Sequence, residues 1–280
     1  MLMKVTGLLD IPAEEYHADK SVVGHSALVE MMKSPKHFNH RVTTPMEPTP
    51  AMAFGTALHA AILEPQAFRS AYVVSPRFDR RTKEGKAGAL QWDSDNAGKT
   101  SIEQEDMDKL LAMQAAIAEH TGASELLRNG ITEQSYFWTD EETGIQCRIR
   151  PDLLALDDCG EVVAMLDLKS CLDASKWKFS RTIADRGYDL QSGFYTDGLE
   201  RAIGRIVPFY FLAVESGAPH GVALYKAGTK TIEAGRSKYR AALQMLEWCR
   251  RNDSYPSYQP FGESEDIDVA YFNSNLTDGL

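Results

Sequence analysis

Cysteine is scarce in this 280-residue chain, long apolar runs are missing, and there is no excess of basic residues. The four cysteines, Cys147, Cys159, Cys171 and Cys249, stand far apart, with no Cys-x-x-Cys pair and no histidine at zinc-finger spacing. Neither a disulfide framework nor a structural zinc is therefore indicated. No apolar stretch approaches the ~20 residues that span a bilayer, and Met1-Leu2-Met3-Lys4 is not followed by the apolar run of a signal peptide. The expectation is a cytoplasmic protein without a membrane partner. Glycines Gly85 and Gly88 do not form a nucleotide-binding loop, so ATP use is not supported. No Pro-rich or Gly/Ser-rich linker and no solenoid repeat interrupts the chain, which favours a single domain over 1–260 followed by an acidic tail, 261–280. Thirty basic residues stand against forty acidic ones, a net charge of −10, which argues against a sequence-independent electrostatic grip on nucleic acid. Locally the balance differs. Glu263, Glu265, Asp266, Asp268 and Asp278 make the tail acidic, whereas Arg77, Arg80, Arg81, Lys83 and Lys86 are diluted only by Asp79 and Glu84.

What is present is periodic. Ser26 can cap a short helix over Ala27 to Lys33, and Ser34-Pro35 can open another. Phe54, Ala57, Leu58, Ala61 and Ile62 recur at helical spacing within Ala51 to Glu64, stopped by Pro65, with His59 beside the stripe. A strand is expected over Ala67 to Val74, then a mobile functional insertion over Pro76 to Gly98 with weak helical period from Ala87 to Trp92. Ser101 with Gln104 forms a capping box for a long helix to about His120. The period then shortens to two. Ile131 to Trp138, Ile145 to Leu156 and Val162 to Leu168 form an antiparallel meander joined by turns at Thr139 to Gly144 and Asp157 to Gly160. A helix capped by Asp173, a helix from about Leu190 to Ala202, strands at Ile206 to Val214 and Gly221 to Tyr225, and a helix over Ile232 to Arg251 complete an α+β pattern, helices flanking a mixed sheet.

The chemistry concentrates in Arg150-Pro151-Asp152 and Leu166-Asp167-Leu168-Lys169. Asp167 and Lys169, two apart on a strand, share a face, and Asp152 belongs to the neighbouring strand. Close carboxylates repel unless a cation intervenes, and a divalent metal is the usual resolution. Mg²⁺ or Mn²⁺ held by carboxylates and water can polarise a phosphoryl oxygen while a lysine stabilises developing charge or helps deprotonate water. Phosphodiester hydrolysis fits. The plainer alternative is a turn aspartate and a surface Asp/Lys pair. Similarly, His59 can be a packing histidine, Glu133 a strand-edge charge, Gln191 a helix-surface residue and Tyr195 a core aromatic. Arg148 and Arg150 can serve merely to neutralise the acids, and Trp138, Trp177 and Trp248 are taken as core or surface residues.

Pro151-Asp152 with Asp167-Leu168-Lys169 resembles the PD-(D/E)xK nuclease superfamily. Phe54-Gly55-Thr56-Ala57-Leu58-His59, then Leu63-Glu64-Pro65, Thr132-Glu133-Gln134-Ser135, and Gln191 with Tyr195 follow the order of RecB-like and lambda-exonuclease-like nucleases. Met31-Met32-Lys33-Ser34-Pro35-Lys36-His37-Phe38 looks like the opening of RecE-type exonucleases (exodeoxyribonuclease VIII), and the resemblance runs from about Val22 to Arg250. It implies a restriction-endonuclease-like α/β/α core. It implies metal ligation by His59, Asp152, Asp167 and the Leu168 carbonyl, catalysis by Lys169, a second-metal or water-holding role for Glu133, and contacts to DNA from Gln191 and Tyr195. Arg77, Arg80, Arg81 and Lys83 are candidate DNA contacts on charge. The cofactor implied is Mg²⁺, with Mn²⁺ as substitute. Some RecB-like relatives carry a four-cysteine iron–sulfur cluster, but the spacing here does not match one. The implied activity is 5′ to 3′ resection of double-stranded DNA ends, leaving 3′ single strands for a RecT-like annealing protein, by a homo-oligomeric ring, a tetramer in RecE. The rivals are a RecB-like single-strand nuclease and a non-catalytic DNA-end adaptor; the intact Asp152, Asp167 and Lys169 argue against the adaptor.

Overall fold

The computed structural model describes residues 8–45, 47–259 and 262–267. Most of the acidic tail therefore lies outside the described residues. In chain order the elements are α1 (Ala13–Ala18), α2 (His25–Lys33), α3 (Pro35–Thr43), α4 (Pro50–Leu63), α5 (Pro65–Ala71), β1 (Tyr72–Val74), α6 (Lys83–Asp95), β2 (Thr100–Ile102), α7 (Gln104–Glu119) and α8 (Thr121–Arg128). Then come β3 (Gly130–Thr132), β4 (Tyr136–Thr139), β5 (Gln146–Ile149), β6 (Leu153–Leu156), β7 (Val162–Cys171), α9 (Lys176–Arg186), α10 (Tyr188–Ile203), β8 (Phe209–Glu215), β9 (Val222–Lys226) and α11 (Thr229–Asn252).

The central sheet is mixed, in the order β3-β6-β7-β8-β9, with β7 and β8 parallel and the other pairs antiparallel. Its strands carry apolar residues on both faces. Leu154, Met165, Phe209, Phe211 and Ala213 pack with α2, α9, α10 and α11 on one side. Leu153, Ala155, Leu166, Leu168, Leu212 and Val214 pack with α4, α5, α7 and α8 on the other. Two covered faces make three layers, α/β/α, as the alternation along each strand requires. The fold class is therefore α+β with helices flanking a mixed sheet.

Several local expectations need correction. The predicted strands Ile131 to Trp138 and Ile145 to Leu156 each divide. Their inner halves, β3 and β6, join the central sheet, and their outer halves, β4 and β5, form a separate two-stranded ribbon. Pro151 has no N–H for the ladder, and Glu133 adopts φ 53°, so neither run can continue as one straight strand. Ala67 to Ala71 is the end of helix α5, with Pro65 at its first turn, and only Tyr72–Val74 is extended. The stretch taken as a mobile insertion contains the thirteen-residue helix α6, whose first turn is closed by Thr82 Oγ1 accepting from the Gly85 N–H. Ser101 lies in β2, so the capping box fails. The cap position of α7 is Glu103, without a side-chain hydrogen bond. His120 caps a further helix, α8, accepting from the Ala123 N–H, which hydrophobic period did not reveal. Gly24, not Ser26, stands at the cap of α2, and Ser175, not Asp173, at that of α9. Ser34 does cap α3, accepting from the His37 N–H.

Candidate active site

The break at Arg150-Pro151-Asp152 builds the site. Because β6 pairs with β7 only from Leu153 opposite Leu166, the length of β7 beyond Leu166 has β8 on one side and no strand on the other. Leu168, whose N–H and C=O point toward that unpaired side, donates to Asp152 Oδ2 at 2.7 Å. Its carbonyl lies 3.0 Å from His59 Nε2, delivered by α4 across the sheet layer. His59 Nδ1 is 3.4 Å from the same Asp152 oxygen. Positive φ at Glu133 turns that residue back toward the gap, its N–H on the Asp152 carbonyl at 3.3 Å. The His59, Glu133 and Asp152 ligand atoms all lie within 4.8 Å of one another.

Asp167 projects from the opposite face of β7, 1% exposed. Its Oδ2 meets Lys169 Nζ at 2.5 Å and its Oδ1 accepts from Gln191 Nε2 at 2.5 Å. Gln191 is buried on α10, and its own carbonyl oxygen has no hydrogen-bond partner among the described residues. One turn on, the Tyr195 hydroxyl lies 3.1 Å from His25 Nδ1. Glu133 is paired with Arg150 Nε at 2.5 Å, while Arg150 Nη1 is buried without a partner among the described residues.

Burial, then the Asp167 charge, push the Asp152 carboxyl up to about 6, against the pull of His59, Lys169 and the Leu168 N–H. Burial disfavours the Lys169 ammonium, but Asp167, Asp152 and Tyr188 outweigh it and hold its pKa above the ordinary lysine value. Burial and then Lys169 depress His25 to about 4, and burial holds Tyr195 well above the usual phenol range. At neutral pH Lys169 is thus charged and His25 neutral, while Asp152 is a carboxylate held against burial and the Asp167 charge.

The donor set fits a divalent cation. Two carboxylates, an imidazole and a backbone carbonyl offer mostly oxygen, as Mg²⁺ and Mn²⁺ prefer. The 3.0 Å between His59 Nε2 and the Leu168 oxygen matches the edge of an octahedron with ~2.1 Å bonds, so both atoms can face one ion. A cation there would also offset the burial and the Asp167 charge that together raise Asp152.

Two hollows open on this cluster and share Glu133 and Arg150 as a dividing wall. One, of about 840 Å³, is lined by His59, Glu64, Thr132 and Gln134. The other, of about 250 Å³, is lined by His17, Lys20, His25, Arg41, Arg148 and Tyr195. His17 is depressed by burial and then by Arg148, Lys20, Arg150 and Arg41, an index of concentrated positive charge.

A family model described as a PDDEXK-like domain of unknown function (DUF3799) matches residues 24–269. The chain belongs to that family. This PDDEXK-like domain also resembles a crystal structure named "Putative exonuclease" from Eubacterium rectale, with TM-score 0.60 and 12% identity over 97% of this chain and 100% of that one. At that identity the likeness shows the shared fold. A comparison with curated proteins gives no match. PDDEXK nucleases generally use divalent metals, in agreement with the donor set above.

Within the PDDEXK-like frame, His59, Asp152, the Leu168 carbonyl and Glu133 come together, and Lys169 contacts Asp167. The Asp167 carboxylate itself is outside the tight His59–Glu133–Asp152 group and is engaged by Lys169 and Gln191. Gln191 and Tyr195, expected at DNA, are 3% and 4% exposed. Gln191 positions Asp167, and Tyr195 forms a wall of the smaller hollow. Arg77 and Arg80 line a different cleft, shared with Glu103, Glu105 and Asp108. Arg81 is paired with Asp79, and Lys83 opens α6. None of the four lines the hollows at the site. His17, Lys20, His25 and Arg41 carry no motif in the sequence, and Arg150, expected only to neutralise the acids, also holds Glu133. His17 and Lys20 come from the segment before α2, His25 from the start of α2, Arg41 from α3 and Arg150 from just past the end of β5; the Val23–Cys147 bridge that brings the first segment to β5 is a tertiary contact without a local signature.

Among the described residues no helix is long and apolar enough to cross a membrane.

Proposed function

We propose that the protein is a Mg²⁺-dependent exodeoxyribonuclease that resects linear double-stranded DNA ends. The observation that carries this reading is the metal-type group of His59, Asp152, Glu133 and the Leu168 carbonyl, with the Asp167–Lys169 pair on the same strand as Leu168 and a small cationic hollow that shares Glu133 and Arg150 with the site. A hollow of about 250 Å³ has room for a strand terminus rather than for a duplex passing through. Arg41, Lys20 and Arg150 there supply the charge-assisted donors that phosphate takes.

His59, Asp152, Glu133 and the Leu168 carbonyl would hold the metal, with Asp167 facing it from across β7. When bound, the metal supplies Lewis-acid polarisation of the phosphoryl oxygen and lowers the pKa of water. Lys169, kept charged by Asp167, donates toward the phosphoryl oxygen on which charge develops; it is an electrostatic stabiliser rather than a proton acceptor. Gln191 fixes the Asp167 carboxylate and through it the lysine. Arg150 holds Glu133 in place and offers Nη1 toward the hollow.

The RecE-type resemblance supplies the finer reading: 5′ to 3′ polarity, 3′ single-stranded products passed to a RecT-like annealing protein, and a tetrameric ring. Mass measurement in solution tests the ring. The function itself is tested with end-labelled linear duplex and covalently closed plasmid, each with Mg²⁺, Ca²⁺ or chelator. Resection of the linear duplex alone, in Mg²⁺ alone, is the expected result. Nicking of the closed plasmid would replace the exonuclease with an endonuclease, and binding without cleavage would leave an adaptor.

A further inference from the structure

Helix α9 carries a surface that the active site does not use. Phe179 anchors it, 1% exposed, its ring stacked on Tyr225 at 5.6 Å between centroids and edge-on to Phe211 at 6.0 Å. Trp177, two residues earlier, is turned by about 200° around the helix and is 60% exposed. The Arg181 guanidinium stands over its ring at 4.1 Å and Lys178 Nζ at 5.0 Å. In the turn before the helix, Leu172 is 92% exposed. Over Lys176 to Arg186 there are four cations, Lys176, Lys178, Arg181 and Arg186, against Asp185 alone, in a chain of net charge −10.

The position matters as much as the charge. Leu172 is three residues past Lys169 on the same stretch of chain. The far end of α9 leads into Tyr188, whose ring centroid is 4.7 Å from Lys169 Nζ. The eleven residues of α9 rise about 16 Å, so Trp177 stands a few nucleotides from the lysine.

We propose that the outer face of α9, centred on Trp177, binds single-stranded DNA beside the active site. A base stacks on the indole, and flanking phosphates pair with Lys176, Lys178 and Arg181. The role rests on the nuclease reading above, which explains why a single strand would be there. An exposed aromatic ringed by cations offers the two interactions that sequence-independent single-strand binding uses, stacking and phosphate neutralisation. A two-fold copy of the chain is a poorer occupant, because that contact would bring two cationic patches together, and a head-to-tail copy is separated by the oligomer measurement below.

The test is titration of the full chain, in chelator to prevent cleavage, with oligo-dT of about 15 nucleotides, followed by tryptophan fluorescence and anisotropy. The oligonucleotide should quench fluorescence. Trp177→Ala should remove most of the quench and weaken binding about 10-fold, the scale of one stacked base, with Trp177→Phe between the two. Lys176→Gln with Arg181→Gln should reduce the slope of log K against log salt by about 1.4, at ~0.7 per released counterion. An unchanged Kd and quench in folded Trp177→Ala overturns the proposal. So does a concentration-dependent oligomer that Trp177→Ala abolishes while oligo-dT binding persists. Resection of linear duplex in Mg²⁺ is measured separately. Failure there with Trp177-dependent binding intact would remove the nuclease reading alone, and normal resection with Trp177-independent binding would remove this surface alone.

Discussion

At Lys169 the geometry separates catalysis from metal binding. The ammonium is paired with Asp167 and contributes no donor to the His59–Asp152–Glu133 group. Lys169→Ala should therefore lower nuclease activity at least ~10²-fold, the scale of one preorganised electrostatic group, with Mn²⁺ affinity by calorimetry nearly unchanged. Wild-type resection by the folded variant would dissolve the mechanism. Asp152 makes the opposite kind of prediction. Its folded pKa of about 6 lies above the ordinary 3.8, so the metal-free folded state binds this proton more tightly than the unfolded chain does. The resulting penalty is absent below pH 4, grows as pH rises toward about 6, and is full above it. Asp152→Asn can still accept from Leu168, so without metal at pH 7.5 it should raise Tm by ~2 °C or more, with no gain at pH 4. With Mg²⁺ the sign should reverse, because the wild type alone keeps the full donor set. A Tm gain equal at both pH values would show that Asp152 is not the strained group. Asp152, Asp167 and Lys169 were legible because residue type and order suffice to name them. The pairing of Glu133 with Arg150 was not, since it depends on a positive φ that no periodicity records.

At the scale of elements, the site depends on where strands stop. The alternation through Ile145 to Leu156 hides the division at Pro151, although a proline inside a strand run is the local signal for it. Helices α10 and α11 were legible from long apolar periods, whereas α8 has eight residues and α6 carries two glycines among charges. The contact between α10 and α11 sets Gln191, and it is closer than side chains allow. A Cβ on Gly235 would meet the Asp189 carbonyl oxygen at 1.9 Å, and one on Gly193 the Arg236 nitrogen at 2.6 Å. Lys238 adds an ion pair to Asp189 at 2.5 Å across the same crossing. Gly235→Ala must push the helices apart, so it should cost about 1–3 kcal/mol and shift Gln191 away from Asp167. Thermal melts and resection rates check this together. An unchanged Tm would mean that the crossing is looser than its geometry.

For the whole molecule, the proposed nuclease function requires a chain of net charge −10 to bind a polyanion. Charge is segregated: Lys20, Arg41, Arg148 and Arg150 converge on one hollow of about 250 Å³, and their joint field is what lowers His17, after burial. In the basic run that leads into α6, conspicuous in sequence, Arg77 and Arg80 share a cleft with Glu103, Glu105 and Asp108 and Arg81 is paired with Asp79, so their field is offset there. The run is visible in sequence because its charges fall within ten residues, whereas the hollow is not, because Lys20 and Arg41 are separated from Arg148 and Arg150 by more than a hundred residues. Phosphates neutralised by Lys20 and Arg41 release condensed counterions, at ~0.9 per contact on duplex DNA. Lys20→Gln with Arg41→Gln should therefore reduce the slope of log K against log salt for a blunt duplex end by nearly 2. Arg80→Ala, Arg81→Ala and Lys83→Ala together should change it by less than half as much. Anisotropy of a labelled duplex between ~50 and 200 mM salt, in chelator, gives both slopes. If the triple variant flattens the dependence and the double variant does not, DNA runs along α6, and the hollow beside Glu133 and Arg150 serves something other than the strand end.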